Sequence, residues 1–298
     1  MKKKAIIISI KGYSLSINEK NLLAKERPWG LILFKRNIKS LRQVKKLIKK
    51  IRKVTKDSKF PIMIDEEGYS VSRLKEIINH NFSQKSLGDI YKINKEVSLF
   101  FYKDYINNLT NFLKKIGINI NTVPVLDLRL KGASNIIGDR SFSKDPKIVS
   151  KIGDYCIQYF HENRIGSVIK HIPGHGLARV DSHLFTPVVS KKQNYLLKKD
   201  FVPFKNKKTF FAMTAHIIFK KIDNKNTVTH SKKLIQLIRN KIGFKNILIS
   251  DDLSMKSLKG TLKENTIKTF NAGCNFLRFD LPIGDVIFDS EDDVGAKL

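Results

Sequence analysis

The sequence predicts an α/β protein folded as a single (β/α)8 barrel of the TIM type. The chain has 298 residues, a length that one such barrel commonly occupies. Eight short runs rich in β-branched residues recur along it, and segments with helical periodicity lie between most of them. A doubly wound open sheet is the competing architecture, but KGYS follows the first run where that fold would carry GxGxxG. We therefore assign residues 1–298 to one barrel domain.

The predicted strands are almost continuously apolar, which is typical of parallel strands that are buried on both faces. In chain order they span residues 5–10, 30–34, 61–66, 120–126, 167–172, 210–216, 246–251 and 274–279. Eight strands of this kind, separated by helices, are the number that closes the barrel.

Helical segments are predicted at residues 41–54, 94–116, 146–163, 232–242 and 264–271. Most of them have a lysine-rich outer face and an apolar inner face. Pro146 suits the first turn of its helix, and Gly243 and Gly273 stand where helices would end. The tail, residues 281–298, is short and acidic, so we expect the last helix of the barrel to be missing or altered.

The charge of the chain is strongly positive, with 57 Lys and Arg against 27 Asp and Glu and a formal net charge of +30. Such a balance raises nucleic acid as a partner. However, the basic residues are mostly lysines spread over every predicted helix, and no basic arm, zinc-finger spacing or aromatic RNA-binding signature accompanies them. We therefore do not expect nucleic-acid binding as the primary function.

Cys156 and Cys274 lie far apart without a CxxC motif, which argues against a disulfide framework or a structural zinc site. The apolar run AIIISI near the N-terminus has six residues, too few for a secretory leader or a membrane span. These features predict a cytoplasmic protein without a membrane-spanning segment.

Ionisable residues stand at the carboxyl ends of four predicted strands. They are Asp65-Glu66-Glu67, Lys170-His171, His216 and Asp251-Asp252. A charged group within an apolar strand carries a desolvation cost unless it is paired or used. Because the active face of a (β/α)8 barrel is built at the carboxyl ends of its strands, this pattern predicts a functional site there.

The segment KHIPGHGLARVDSH, residues 170–183, is the part of the chain richest in such groups. Its proline and glycines predict an irregular, mobile loop. His171 and His175 are four residues apart, but Pro173 and Gly174 prevent the helix that would place both rings on one face. We therefore predict no metal site in this loop.

Asp181 and His183 have an Asp-x-His spacing within the same loop. The carboxylate can accept a hydrogen bond from one ring nitrogen, which leaves the other nitrogen free to move a proton. The Asp181–His183 pair is therefore a candidate acid/base group, and Asp251 at a strand end is the candidate nucleophile that would act with it. Asp252 points the other way on an extended backbone, so a structural role is expected for it.

Motifs along nearly the whole chain resemble those of bacterial β-N-acetylglucosaminidases of glycoside hydrolase family 3, the NagZ type. The motifs are PWGLILFKRNI, IDEEGYSVSRL, VPVLDL, IIGDRSFSKDP, KHIPGHGLARVDSH, MTAHIIF, SDDLSM and AGCNFLRF. The combination of KHIPGHG, DSH and SDDLSM is the most specific part. The chain departs from the family pattern in two places. Tyr69 follows Gly68 where the family usually has a second glycine, and Leu177-Ala178-Arg179 follows the GHG loop where many members have Asp-Thr.

The resemblance implies a retaining exo-enzyme that removes non-reducing N-acetylglucosamine, with 1,6-anhydro-muropeptides of peptidoglycan recycling as the expected substrate. By motif position, Asp251 would be the nucleophile, and His183 with Asp181 the acid/base dyad. The substrate-binding positions would be Asp65, Arg73, Arg140, Lys170 and His171. No metal or organic cofactor is needed for this chemistry, and a monomer is expected.

Three alternatives remain open at this point. A β-glucosidase or a glycoside phosphorylase would be another activity of the same family, and phosphate would replace water in the second case. A more distant alternative is a basic binding protein whose barrel has lost catalysis.

Overall fold

The computed structural model describes residues 2–286 of the chain. Eight parallel strands form a closed barrel, which confirms the predicted (β/α)8 fold. Met1 and residues 287–298 lie outside the described part, and the prediction of an altered last helix falls mainly on them. The described chain ends with a 3-10 turn, Ile283–Asp285, directly after the last strand.

Residues 2–286 contain ten strands, and eight of them form the barrel in the circular order β1-β2-β3-β4-β5-β7-β9-β10. Their bounds are β1 (Lys4–Ser9), β2 (Pro28–Leu33), β3 (Ile62–Ile64), β4 (Ile120–Asn121), β5 (Gly166–Ile172), β6 (Val188–Val189), β7 (Phe211–Thr214), β8 (Ile218–Phe219), β9 (Ile247–Asp252) and β10 (Phe276–Pro282). Each of the eight predicted runs contributes one barrel strand. The additional β6 and β8 form a small parallel pair outside the barrel.

The fourth barrel strand is much shorter than the predicted run 120–126. Pro124 has no amide hydrogen to donate, so the regular ladder stops at Asn121. Pairing with β5 continues through an isolated bridge between Val125 and Lys170, and the Leu126 amide donates to the Lys170 carbonyl over 2.8 Å. The wall of the barrel therefore stays closed where the regular strand ends.

Eight α-helices surround the strands in the described part of the chain. They are α1 (Ile17–Glu26), α2 (Leu41–Thr55), α3 (Gln84–Ile93), α4 (Lys95–Ile116), α5 (Pro146–Glu162), α6 (Gln193–Lys198), α7 (Lys232–Leu237) and α8 (Leu262–Ala272). The five predicted helices correspond to α2, α4, α5, α7 and α8. The sequence analysis did not identify α1, α3 and α6.

Local sequence sets the ends of several helices. Asp145 caps α5 through the Lys147 amide, and Pro146 occupies its first turn as predicted. Helix α7 is shorter than predicted because the chain continues as a π-helical turn, Ile238–Ile242, before Gly243 ends it with φ 81°. Gly273 ends α8 with φ 111°, in the left-handed region that glycine adopts readily.

The strand residues divide between two apolar cores, because successive side chains of a strand point to opposite faces. Ile6 and Ile8 pack outward against the helices, whereas Ile7 points into the barrel. The inner core is Ala5, Ile7, Ile32, Phe34, Met63, Ile120, Val168, Met213, Ile249 and Phe276. The barrel is therefore filled and has no open pore.

Aromatic rings lie at the amino-terminal end of the barrel. The Trp29 ring lies 4.5 Å from that of Phe276 and 5.6 Å from that of Phe211, measured between centroids. These three residues belong to strands that are distant in the sequence. They close the barrel at the end opposite the carboxyl ends of the strands.

Cys156 and Cys274 are both buried and free, as expected from their separation. None of the helices between residues 2 and 286 combines the length and the hydrophobicity that crossing a bilayer needs.

At Gly88, helix α3 packs directly against the backbone of Phe142. A Cβ atom at this position of α3 would lie 1.7 Å from the carbonyl oxygen of Phe142 and 2.6 Å from its carbon. We expect Gly88→Ala to lower the free energy of unfolding by about 1–3 kcal/mol, because backbone must move to admit the methyl group. Urea unfolding followed by circular dichroism measures this loss.

Gly12→Ala is the matched control, since no atom lies within 4 Å of its added Cβ. The control should change stability by less than about 0.5 kcal/mol. Equal unfolding midpoints for the two variants would contradict the close packing of α3.

Candidate active site

A cleft lies at the carboxyl ends of the barrel strands, with a volume of about 590 Å³ that includes the open solvent at its mouth. Seven of the eight residues singled out from the sequence line it: Asp65, Arg73, Arg140, Lys170, His171, His183 and Asp251. The eighth, Asp181, stands behind His183. The structure thus brings the predicted residues together from four separate βα segments.

The floor of the cleft is the layer of side chains above the inner core. Core residues Met63, Val168, Ile249 and Phe276 are each followed two positions later by a charged residue, namely Asp65, Lys170, Asp251 and Arg278. Because side chains on one face of a strand repeat every second residue, these four charges point into the same space as the core below them.

Asp65 lies at the centre of this layer and is almost completely buried. Its carboxylate accepts hydrogen bonds from Arg278 over 2.9 Å and from the Thr122 hydroxyl, and it pairs with Lys170 at 3.3 Å. Burial alone would raise the pKa of Asp65, but the cations of Arg278, Lys170 and Arg73 outweigh it and hold the pKa well below its usual range. Asp65 is therefore a fixed anion.

Glu67 forms a second buried anion beside the first. Arg140 binds it with two hydrogen bonds of 2.7 and 2.9 Å, and the Lys170 ammonium lies 2.6 Å away. Burial opposes ionisation of Glu67, yet these two cations lower its pKa to about 2. Lys170 thus joins Asp65 and Glu67 into one network, and the bidentate pair with Glu67 fixes the position of the Arg140 guanidinium.

Asp251 ends β9 with 14% of its side chain exposed, and it faces the cleft. Its carboxylate lies 3.9 Å from His171 Nε2 and 3.9 Å from the Arg278 guanidinium, and it accepts a hydrogen bond from the Asp252 amide. Burial would raise the pKa of Asp251, but Arg278, His171 and His216 together lower it. An ionised carboxylate therefore faces the cavity.

Asp252 points away from the cleft. Its carboxylate accepts hydrogen bonds from the Ser254 amide and hydroxyl and from the Asp280 amide. Its carbonyl contacts Nε2 of buried His216, whose Nδ1 contacts the Thr229 hydroxyl. Asp252 and His216 hold the end of β9 in place and so fix where Asp251 points.

His171 and Asp127 form a buried His–Asp pair. His171 Nδ1 lies 2.7 Å from the Asp127 carboxylate, which also accepts the backbone amides of His171 and His175. Burial opposes ionisation of Asp127, and the two histidines with these amides lower its pKa overall. The pair fixes the ring of His171 with Nε2 directed at Asp251.

His183 and Asp181 form a second His–Asp pair at the rim of the cleft. His183 Nδ1 lies 2.9 Å from the Asp181 carboxylate, and 63% of the His183 side chain is exposed. The Leu184 and Phe185 amides donate to the Asp181 carbonyl, so the pair sits on a single helical turn. Hydrogen bonds from His183 lower the pKa of Asp181 against the opposing effect of its burial.

The loop that connects the two pairs packs on Asp200. A Cβ at Gly174 or Gly176 would lie within 3 Å of the Asp200 side chain, so glycine is needed for this approach. In the described part of the chain the Asp200 oxygens have no side-chain hydrogen-bond partner, and the Gly176 amide is the polar group beside them. Burial and the nearby Asp127 raise the pKa of Asp200 to about 8.

The two histidines of KHIPGH do not share a ligand geometry. His171 binds Asp127, whereas His175 Nε2 lies 3.1 Å from the Ser182 hydroxyl. Burial and the neighbouring His171 lower the pKa of His175 to about 4. Within residues 2–286 no group of three His, Cys, Asp or Glu side chains is arranged to hold a metal ion.

Although the sequence analysis named Glu66 and Glu67 at the end of their strand, it assigned no role to several residues of the cleft. Glu67, Arg278 and Asp280 line it, and Asp127 lies just beneath. Another is Glu66, which accepts the Arg73 and Leu74 amides and contacts His80, so it shapes the turn that presents Arg73. Arg278 could have been identified from the alternation of side chains along its strand. Phe276 points into the barrel, so the residue two positions later points to the same side.

The cleft combines an ionised carboxylate, an exposed histidine whose Nε2 could transfer a proton, and surrounding charged side chains that can form hydrogen bonds. Such groups can hold a neutral polyhydroxylated ligand, attack one of its carbon atoms and move a proton at the rim.

Comparison with known proteins gives a consistent result. Residues 4–280 match the N-terminal domain of glycosyl hydrolase family 3. A beta-hexosaminidase of Nitrosomonas eutropha is 30% identical over 277 residues, which cover 91% of this chain and 79% of that protein. A beta-hexosaminidase of Idiomarina loihiensis is 32% identical over 278 residues, with coverage of 91% and 82%.

Among solved structures, NagZ from Neisseria gonorrhoeae in complex with N-trifluoroacetyl-D-glucosamine has a similar fold. The superposition has a TM-score of 0.84 at 28% identity and covers 99% of this chain and 88% of NagZ.

The buried Asp200 makes stability depend on pH. Its pKa of about 8 in the folded chain exceeds the ordinary value of 3.8, so between about pH 4 and pH 8 the folded state keeps a proton that the unfolded state has lost. The free energy of unfolding should therefore fall as pH rises through this window, by up to about 1.4 kcal/mol per pH unit from this group. In Asp200→Asn this contribution disappears.

Urea unfolding of both proteins at pH 5 and pH 7 measures the difference. The native chain should lose stability relative to the variant on going to pH 7. Parallel pH dependences would show that Asp200 is not held protonated beneath the loop.

Proposed function

The chain belongs to glycosyl hydrolase family 3 and is a glycoside hydrolase of the beta-hexosaminidase type, and we propose that it is a retaining exo-β-N-acetylglucosaminidase. The observation that carries this proposal is the ionised Asp251 in the same cleft as the His183–Asp181 pair.

In the first step an oxygen of Asp251 attacks the anomeric carbon of the bound sugar. The bond from that carbon to the leaving oxygen breaks, and protonated His183 donates its Nε2 proton to this oxygen. Asp181 accepts the Nδ1 hydrogen of His183 and stabilises the charged ring. The product of this step is a glycosyl ester of Asp251.

In the second step water attacks the same carbon on the face that the leaving group has vacated. Neutral His183 takes a proton from this water, and the ester bond breaks with its electron pair returning to Asp251. Two inversions give overall retention of configuration. The proton taken from water restores His183 for the next cycle.

The remaining residues of the cleft would hold the sugar. The carboxylate of Asp65 can accept hydrogen bonds from adjacent hydroxyl groups, while Lys170, Arg73 and Arg140 donate to hydroxyl and amide oxygens. Ion pairing to Asp65 and Glu67 fixes these cations before the ligand arrives. Such preorganised donors and acceptors favour one orientation of the ring.

Burial distinguishes the two histidines as candidates for acid/base catalysis. His171 Nε2 is directed at Asp251 from the floor of the cleft, whereas His183 stands exposed at the rim. The leaving group must depart toward solvent, so the rim position suits proton donation to it. We assign His171 to orienting Asp251 and contacting the sugar.

The shape of the cleft supports action at a chain end. Met213 belongs to the inner core and also lines the cleft, so the cavity is closed below. One terminal sugar can occupy it while the rest of the substrate extends past the rim. We extend the proposal to the substrate, which would be a 1,6-anhydro-muropeptide, and to a role in peptidoglycan recycling in the cytoplasm. The proposal also includes a monomeric state and the assignment of the chain to a single domain.

Asp251→Ala should lower turnover of 4-nitrophenyl N-acetyl-β-D-glucosaminide at least about a thousandfold, because the ester can no longer form. A 2-fluoro sugar substrate with an activated leaving group should give a stable adduct on the native chain, and peptide mass analysis should locate it on Asp251. Asp252→Asn is the matched control, in which the adduct should still form on Asp251.

Product analysis of the same reaction separates the alternatives. Faster release from the β-glucoside would indicate a β-glucosidase, and formation of a sugar 1-phosphate after addition of phosphate would indicate a phosphorylase. If Asp251→Ala kept more than about a tenth of the turnover rate of the native chain, Asp251 would be excluded as the nucleophile.

His183→Ala should affect substrates according to their leaving groups. Loss of the proton donor should lower kcat/KM for an N-acetylglucosaminyl disaccharide by about a hundredfold or more, whereas 4-nitrophenolate leaves without protonation and should be much less affected in the first step. Comparing kcat/KM for the two substrates measures this selectivity. If both substrates lost activity equally, His183 would not be the proton donor.

A further inference from the structure

Arg278 is a buried cation directly beside the proposed nucleophile. It lies on β10, next to β9, and its side chain is 5% exposed. Its guanidinium binds the Asp65 carboxylate over 2.9 Å and the Asp280 carboxylate over 2.6 and 2.8 Å, and it lies 3.9 Å from Asp251. These contacts fix its position before any ligand binds.

We propose that Arg278 sets the balance between the two steps of the reaction, by making Asp251 a weaker nucleophile but a better leaving group. This inference rests on the proposed function, because it requires a glycosyl ester on Asp251.

The physical reason is the change in charge on Asp251 during the cycle. As Asp251 attacks the anomeric carbon, its negative charge is used to form the ester bond, and its attraction to Arg278 is lost. When water later breaks this bond, the electron pair returns to the carboxylate and the attraction is restored. A fixed cation therefore slows formation of the ester and speeds its hydrolysis.

Other cations near Asp251 are less suited to this role. The Lys170 ammonium is held by Glu67 and Thr122. His171 Nε2 is also 3.9 Å from Asp251, but the His171 ring is itself paired with the buried Asp127 carboxylate at 2.7 Å. Arg278 keeps its charge throughout the pH range in which proteins fold.

Asp280 modulates the effect of Arg278. Its carboxylate binds the same guanidinium with two hydrogen bonds and so offsets part of its charge. Burial raises the pKa of Asp280 to about 7 despite the neighbouring Arg278, so the comparison is made at about pH 8, where the carboxylate is mostly ionised. Removing the charge of Asp280 should therefore act in the direction opposite to removing that of Arg278.

The experiment compares the rate constants of the two steps by stopped-flow release of 4-nitrophenol. In Arg278→Met the ratio of ester hydrolysis to ester formation should fall at least about tenfold, seen as a larger burst before a slower steady state. Methanol, which competes with water for the ester, should then accelerate steady-state release more in the variant than in the native chain. Arg278→Lys should bring the ratio back to within about threefold of the native value.

Arg52→Met is the control, because Arg52 on α2 is a partly buried arginine that lies outside the cleft and donates to the Gly117 carbonyl over 2.7 Å. It should leave the ratio unchanged. Asp280→Asn should raise the ratio, and this result of opposite sign tests the proposal even if Arg278→Met does not fold.

An equal loss in both steps, an unchanged ratio in folded Arg278→Met, or a lowered ratio in Asp280→Asn would overturn the inference. Behaviour of Arg278→Lys like that of Arg278→Met would also overturn it, because the charge would then not be the cause. These results differ from failure of the proposed function, in which the native chain itself forms no adduct on Asp251.

Discussion

Compensation of charge among the buried side chains at the carboxyl end of the barrel is the constraint on which the site depends. Asp65 is buried above an apolar core, where an unpaired carboxylate would be strongly destabilised. Lys170, Arg278 and Arg73 supply the compensating charges. Each of these cations comes from a different segment, so the barrel must close before the charges are paired, and the same network then holds the groups that would contact a ligand.

Two His–Asp pairs illustrate how burial divides roles between similar groups. Both place a ring nitrogen within 2.9 Å of a carboxylate. Asp127 accepts additional backbone amides and keeps His171 fixed on the floor, while Asp181 supports His183 on one exposed turn. The chemistry of an imidazole is thus available in a rigid position next to Asp251 and in a looser position at the rim.

Local patterns in the sequence were sufficient for the barrel and for much of the site. All eight barrel strands and the charged residues at four of their ends follow from apolar runs and from the rule that strand ends carry function. Helix α1 was missed because its apolar face is weakly periodic, and α6 because it has only six residues. Helix α3 was also missed, although its apolar residues recur with helical spacing. The predictions of catalytic and binding roles remain predictions, since position in a cleft is not activity.

The rest of the site depends on contacts between distant segments. Arg278 and Asp65 are 213 positions apart, and they meet because β10 lies next to β1 in the closed barrel. Asp127 likewise follows a two-residue strand whose pairing with β5 continues beyond Pro124. No local sequence pattern shows which residues of distant segments contact each other. The alternation of inward and outward side chains in each strand only restricts which residues can point into the cleft.

The aromatic cluster at the other end of the barrel gives the protein a built-in optical reporter. Trp29 is the one tryptophan in the chain, and its ring packs at an angle against those of Phe276 and Phe211, from strands that meet when the barrel is closed. Its fluorescence therefore monitors assembly of the β-barrel wall. Because it lies at the end opposite the cleft, a shift in its emission would report on the scaffold rather than on movement of the His183 loop.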